Sequence, residues 1–272
     1  MAGSAHGGPQ TRRTADERDD TTVSEGAPTP TALAVPAGSD LDALLGRHAP
    51  REVAEQLAAT SRDDLLAHGS TPVQAVVVVG DLRLSGLVLR EAVSPSLYAR
   101  FVVGFTEAVR GLSASSRGWF DKFTGDGFVA FWLYRDEQAI PTDVVPEFCQ
   151  AVLPASELLV ANLRRNSRNF PIGVGLALGL DSGSCELVRI GDSLTIVGSP
   201  IVGATRMASG ARAGETYANV HLGSLLEHGS RRDPGSGVAL QRAVVRTKEY
   251  PQGQEAYRLS FPATGRGTAA DG

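Results

Sequence analysis

The run VQAVVVVGDL, residues 73–82, constrains the fold most. Four β-branched residues in succession mark a buried strand, and the run closes on Gly80-Asp81. The hydrophobic period then changes. SPSLYARFVVGFTEAVRGL (94–112) carries apolar residues at three- and four-residue steps, with Ser94 as a cap and Pro95 in the first turn, so a helix is predicted. GWFDKFTGDGFVAFW (118–132) reads as two apolar strands joined by a tight Gly-Asp-Gly turn. TDVVPEFCQAVLPASELLVANLRR (142–165) is a second helix, with Pro146 near its start and Pro154 as a kink. PIGVGLALGL (171–180) is a strand, and ELVRIGDSLTIVG (186–198) reads as two short strands around Gly191-Asp192. SPIVGATRMAS (199–209) suits a short helix and GETYANV (214–220) a strand, before a closing hairpin made by VALQRAVVRTK (238–248) and EAYRLSF (255–261). This order predicts an α+β chain, an α/β sandwich with helices on a mixed sheet.

The ends differ from this centre. Residues 1–38 are rich in Gly, Ala, Thr, Pro and charge and cannot bury enough apolar surface to offset their ordering entropy, so a disordered tail is expected there, and likewise over 262–272. Residues 39–70 predict two short helices broken at Pro50, whose Leu and Val spacing suits packing or a dimer contact. Residues 71–261 form the remaining domain. The first twenty residues lack an apolar core of signal-peptide length, and AVVVV (75–79) is too short to span a bilayer. Cys149 and Cys185 have no metal-ligand spacing and make no disulfide framework. A cytoplasmic protein without membrane partners is expected, and the formal net charge of -4 argues against a nucleic-acid partner.

Asp81 ends a buried strand and Asp126 sits at a hairpin tip. Taken singly, each suits a turn, because an aspartate side chain bonds nearby backbone amides. Taken together they place two carboxylates at one sheet edge, where repulsion calls for a shared proton or a cation. A hard cation such as Mg²⁺ takes oxygen ligands of this kind together with substrate phosphates, and two such ions stabilise both oxygens of a phosphoryl transfer. LRLSG (82–86), with Leu82, Ser85 and Gly86, is a small-residue loop whose amides suit phosphate oxygens. By strand alternation Lys122 shares a face with Phe120 and Thr124, and Asp121 points the opposite way into a structural ion pair. Arg206 lies four residues after Val202, on the same face of its helix; both it and Lys122 also read as ordinary surface cations.

These motifs, in this order, resemble the class III nucleotidyl cyclase catalytic domain, over about Val73 to Leu259. VVVVGDLRLSG resembles the first metal motif, KFTGDGFVAFW the Lys-x-x-Gly-Asp-Gly hairpin, IGVGLALG the Gly-Ile-Gly strand, LTIVGSPIVGATRMAS the base-position and transition-state segment, and RTKEYPQGQEAYRL the closing hairpin. The resemblance implies a ferredoxin-like mixed sheet with flanking helices, active as a homodimer with sites at the interface. One subunit would supply Asp81, Asp126 and the Leu82 backbone to two Mg²⁺ or Mn²⁺ ions. The other would supply Lys122 and Thr195 to the base and Arg206 to the transition state. Ser85, Gly86 and Lys248 would contact the triphosphate.

GWFDKFTGDGFVAFW and the compact plan look closest to the pyrimidine cyclases of Pycsar anti-phage defence systems. That implies UTP as substrate, cyclic UMP as product and a separate cyclic-nucleotide effector, with cytidylate or adenylate cyclase as alternatives. Phe120 is a candidate for closing the pocket against purines. The chain departs from the family at Val202, where an asparagine is usual, and the dimerisation arm between Gly179 and Leu194 is short. A catalytically silent nucleotide-binding regulatory domain is the reading of another class.

Overall fold

A computed structural model of the chain describes residues 41–232 and 237–262. The expected tails, 1–38 and 262–272, lie outside the described residues except for Pro262. VQAVVVVGDL forms the middle of β1 (Ser70–Arg83). The hairpin is β2 (Trp119–Phe123) and β3 (Gly127–Tyr134), and β4 is Gly175–Ile190, β5 Ser193–Val197 and β6 Thr216–Asn219. β7 (Ala239–Val245) and β8 (Gln254–Ser260) close the chain. These build one mixed sheet in the order β2-β3-β1-β4-β6-β8-β7, with β5 paired to β4; β4 and β6 run parallel and the other pairs antiparallel.

Both faces of β1 are buried, which is why its apolar run does not alternate. On one face Val76, Val78 and Leu82 pack against α5 (Pro95–Ser115), α6 (Val144–Arg165) and α8 (Val220–Arg232). The Ser94 hydroxyl caps α5 by accepting from the Leu97 amide at 3.3 Å, and Tyr98, Val102, Phe105 and Val109 form its buried stripe. α6 is long and apolar enough to cross a membrane by composition, yet it buries Val145, Phe148, Cys149, Val152, Leu159 and Leu163 in this core. On the other face Ala75, Val77 and Val79 pack against α1 (Leu41–Gly46), α2 (Arg51–Ala54), α3 (Ala59–His68) and α7 (Ser199–Gly210). α7 lies directly on β4 at Gly179, where a Cβ would stand 2.0 Å from the Ala204 carbonyl oxygen.

Several elements differ from the sequence expectation. The 39–70 segment holds three short helices. LRLSG is no simple loop: Ser85 opens the helix α4 (Ser85–Glu91), entered through Leu84 in a left-handed conformation at φ 63°. That conformation is costly for a leucine and is held by the surrounding structure. GETYANV is followed by the unforeseen α8. The two strands expected over 171–190 are one, because β1 pairs β4 from Gly175 to Val188 and carries Asp-Ser-Gly-Ser through as strand; pairing with a neighbour overrides local turn chemistry.

Candidate active site

The sheet brings Asp81 and Asp126 together. Asp81 is the register partner of Gly127 on β3, and the Leu82 amide donates to the Asp126 carbonyl at 3.2 Å, which pins the hairpin tip to the end of β1. A Cβ on Gly127 would stand 2.1 Å from the Gly80 carbonyl oxygen, so this close approach admits only glycine. The Asp126 carboxylate accepts from the Ser85 hydroxyl at 2.5 Å, and the Asp81 carboxylate pairs with the Arg83 guanidinium. Burial lifts the Asp81 carboxyl above its ordinary range; Arg83 pulls it down and the charge of Asp126 pushes it up.

These groups line one wall of a cavity of about 610 Å³. Leu82, Ser85 and Gly86 lie on the same wall, and Val202 and Arg206 from α7 face them, with Lys248 after β7. Of the nine residues to which the resemblance gives a metal, phosphate, base or transition-state role, seven therefore meet here, and Lys122 and Thr195 do not. Arg206 is not free: its Nε donates to Glu249 Oε2 at 2.6 Å, and its guanidinium lies 5.4 Å from the Tyr250 ring centroid. Val202 is 48% exposed on the cavity wall and offers no donor.

Lys122 and Thr195 meet elsewhere, on β2 and β5. Lys122 Nζ donates to Thr195 Oγ1 at 2.7 Å, and both reach Asp121 Oδ2 at 3.2 Å. Asp121 was expected on the opposite strand face. A β-bulge between Phe120 and Lys122 breaks the alternation and turns both charged side chains the same way. Burial raises the Asp121 carboxyl, and Lys122 opposes it. The Phe120 expectation fails: its ring is buried in the hydrophobic core, with the Arg110 guanidinium 5.2 Å from its centroid, so it cannot close a base pocket.

β2 and β5 are held by a residue the sequence did not point out. His48, between α1 and α2, donates from Nδ1 to the Phe120 carbonyl at 3.0 Å and accepts at Nε2 from the Leu194 amide at 3.0 Å. Its own carbonyl accepts from the Phe120 amide at 2.8 Å. This requires the neutral ring, and burial lowers its basicity accordingly. Nothing in the local pattern around His48 signals these contacts. Arg83 was legible, two residues after Asp81 and so on the same strand face.

Among the described residues no group of three or more His, Cys, Asp or Glu forms a metal cage. Two carboxylates that repel, beside a hydroxyl and open to a large cavity, fit a hard cation that takes its other ligands from water and substrate phosphates.

No protein-family model and no curated protein matches the chain. Solved structures do. The adenylyl cyclase CyaB from P. aeruginosa superposes with a TM-score of 0.58 at 17% identity, covering 72% of this chain and 97% of that one. The guanylyl cyclase Cya2 gives 0.57 at 13% identity, covering 73% and 98%. The guanylate cyclase domain of RhGC from Catenaria anguillulae, solved with GTP, gives 0.54 at 13% identity, covering 70% and 98%. The chain therefore has the fold of adenylyl and guanylyl cyclase catalytic domains.

Proposed function

We propose that this protein is a nucleotidyl cyclase, with UTP the favoured substrate and 3′,5′-cyclic UMP the product. The observation that carries the reading is the single cavity in which Asp81 and Asp126 face Arg206 and Lys248, on a cyclase fold. In the reaction the substrate's own 3′-oxygen forms a bond to the α-phosphorus, the bond to the pyrophosphate breaks, and the 3′-hydroxyl proton is lost to solvent. Asp81 and Asp126 would hold two Mg²⁺ or Mn²⁺ ions, which supply charge neutralisation at the attacking and leaving oxygens when bound. Lys248, Ser85 and Gly86 would bind the triphosphate, and Arg206 the charge that grows on the transferred phosphoryl group. Arg206 would first have to give up Glu249. Positioning and electrostatics suffice, and no covalent protein intermediate is needed.

The separation of Lys122 and Thr195 from the cavity of their own chain supports a homodimer in which a second copy presents them to the base. Arg206, by contrast, lines the cavity of its own chain. The preference for a pyrimidine, the anti-phage role and a separate effector rest on the resemblance of the GWFDKFTGDGFVAFW hairpin and the compact plan, and the cytoplasmic setting on the two cysteines without a disulfide framework. A second reading, a silent nucleotide-binding domain, is favoured by Val202 on the cavity wall and by the pairing of both Asp81 and Arg206 with neighbouring side chains.

The experiment is incubation of the purified protein with each of UTP, CTP, ATP and GTP and Mn²⁺, with products identified by mass spectrometry. Cyclic UMP as main product is expected. Cyclic AMP as main product removes the pyrimidine assignment, and no cyclic product with any nucleotide leaves the silent reading.

A further inference from the structure

We infer that Asp121 is a specificity-determining residue: its carboxylate fixes the Thr195 hydroxyl as a hydrogen-bond acceptor toward the nucleotide base. The inference rests on the cyclase reading above, which gives Lys122 and Thr195 to the base. It goes beyond that reading because it sets the polarity with which the base is read.

Lys122 Nζ, Thr195 Oγ1 and Asp121 Oδ2 close a triangle with sides of 2.7, 3.2 and 3.2 Å. An ammonium has only donors, an ionised carboxylate has only acceptors, and a hydroxyl has one proton. The short side is therefore a donation from Lys122 to Thr195. The Thr195 proton then has one place to go, Asp121 Oδ2. A ligand is left with an N–H of Lys122, whose side chain is 46% exposed, and a lone pair on Thr195. The cluster presents a donor beside an acceptor, complementary to a base edge with an acceptor beside a donor. Every base offers such a pair on its Watson–Crick edge, in one of two orders: uracil and guanine put an exocyclic acceptor (O4 or O6) beside a ring N–H, and cytosine and adenine a ring acceptor (N3 or N1) beside the exocyclic amine, so with Lys122 and Thr195 fixed in place the cluster accepts one order and refuses the other. A free threonine would read either polarity; one held by Asp121 asks for a donor from the base.

The bulge makes this possible. Without it Asp121 would point away from Lys122. Its side chain has 0% exposure, so it cannot turn to water, and its Oδ1 is buried without a hydrogen-bond partner. The carboxylate is thus committed through Oδ2 to Lys122 and Thr195.

The test compares the full-length wild type with Asp121→Leu, Thr195→Val, Thr195→Ser and the double variant Asp121→Leu/Thr195→Val. The readouts are kcat/KM for all four nucleotides and, in parallel, binding of each nucleotide by displacement of a fluorescent nucleotide analogue. The ratio between the preferred nucleotide and the better of the two whose base has the opposite order should fall about tenfold in Asp121→Leu and in Thr195→Val, the scale of one well-placed hydrogen bond. It should hold within about threefold in Thr195→Ser, and the double variant should be no worse than either single one, since the two act as a unit. Asp121→Ala replaces Asp121→Leu if the latter does not fold. A uniform loss of rate with unchanged ratios, or additive losses in the double variant, overturns the assignment. A wild type that binds nucleotides selectively without turnover defeats the cyclase reading alone, because the binding ratios still decide Asp121. A wild type that binds no nucleotide defeats both.

Discussion

The cluster around Asp121 and the cluster around Asp81 and Asp126 are built in opposite ways. Around Asp121 every charge is matched inside the chain: a lysine, a hydroxyl and a buried carboxylate close on one another, and His48 ties their two strands to the N-terminal helices. Around Asp81 and Asp126 two carboxylates crowd at the mouth of a large cavity with only Arg83 and Ser85 against them. The first cluster is closed through Asp121 Oδ2 before any ligand arrives. The second keeps a repulsion that a cation relieves. A group that reads a base gains from being preorganised, whereas a group that binds metal and phosphate must keep unsatisfied charge.

The contrast breaks most visibly at Asp126. Asp126→Ala should lower turnover by roughly 10³-fold, the scale of lost charge stabilisation at a transferring phosphoryl group. Calorimetry of the same variant should show a fold at least as stable as the wild type without metal. Added Mn²⁺ should raise the melting temperature of the wild type and leave Asp126→Ala unmoved. The pH dependence follows from the sign. Asp81 has a folded-state pKa raised above its unfolded value, so its contribution favours folding at low pH and is lost as pH rises through the raised value. Stabilisation by Mn²⁺ should therefore grow with pH across that range; equal stabilisation on both sides of it would show that the metal binds elsewhere.

Val202→Asn sharpens the comparison from the cavity side. If the wall lacks only a donor, restoring one should raise kcat by about 10-fold, up to the 10²-fold that a single oriented donor supplies. An unchanged rate would mean that another group already orients the ribose.

The matched cluster is tested through its support. His48→Ala leaves the buried Leu194 amide and the Phe120 carbonyl without partners and should cost about 1–3 kcal/mol in chemical denaturation. His48 has its pKa lowered on folding, so its contribution is present above about pH 6.5 and is lost as pH falls through the depressed value. Asp81, Asp121 and Asp181, the last raised to about 6, move the other way on acidification. The stability difference between wild type and His48→Ala isolates the imidazole, and it should shrink below that pH.

The smallest effect belongs to Glu249. Its pair with Arg206 is largely exposed, so Glu249→Ala should change stability by less than about 0.5 kcal/mol. Turnover should rise or hold, since Arg206 is released toward the cavity. A clear drop in kcat/KM would instead make Glu249 part of the site.

Much of this was written in the chain. The buried run at 73–82, the capped periodic helix after Ser94 and the Gly-Asp-Gly turn each carry a local signal, and together they place Asp81 beside Asp126. The long β4 was not legible, because Asp-Ser-Gly-Ser looks like a turn until β1 supplies a partner along it. The bulge at Asp121 was not legible either, since strand alternation predicts the opposite face and only the pairing of β2 with β3 removes a residue from register.

By itself the sequence determined which residues bear charge among apolar ones, where the chain turns and which segments must be buried; those depend on side-chain chemistry within a few positions. The tertiary structure alone decided which charges meet. It paired Arg206 with Glu249, sent Phe120 into the core, closed Asp121 on Lys122 and Thr195 across 74 positions of chain, and set His48 between two strands far from it in sequence. Such contacts arise from sheet register and helix packing, which no local pattern encodes.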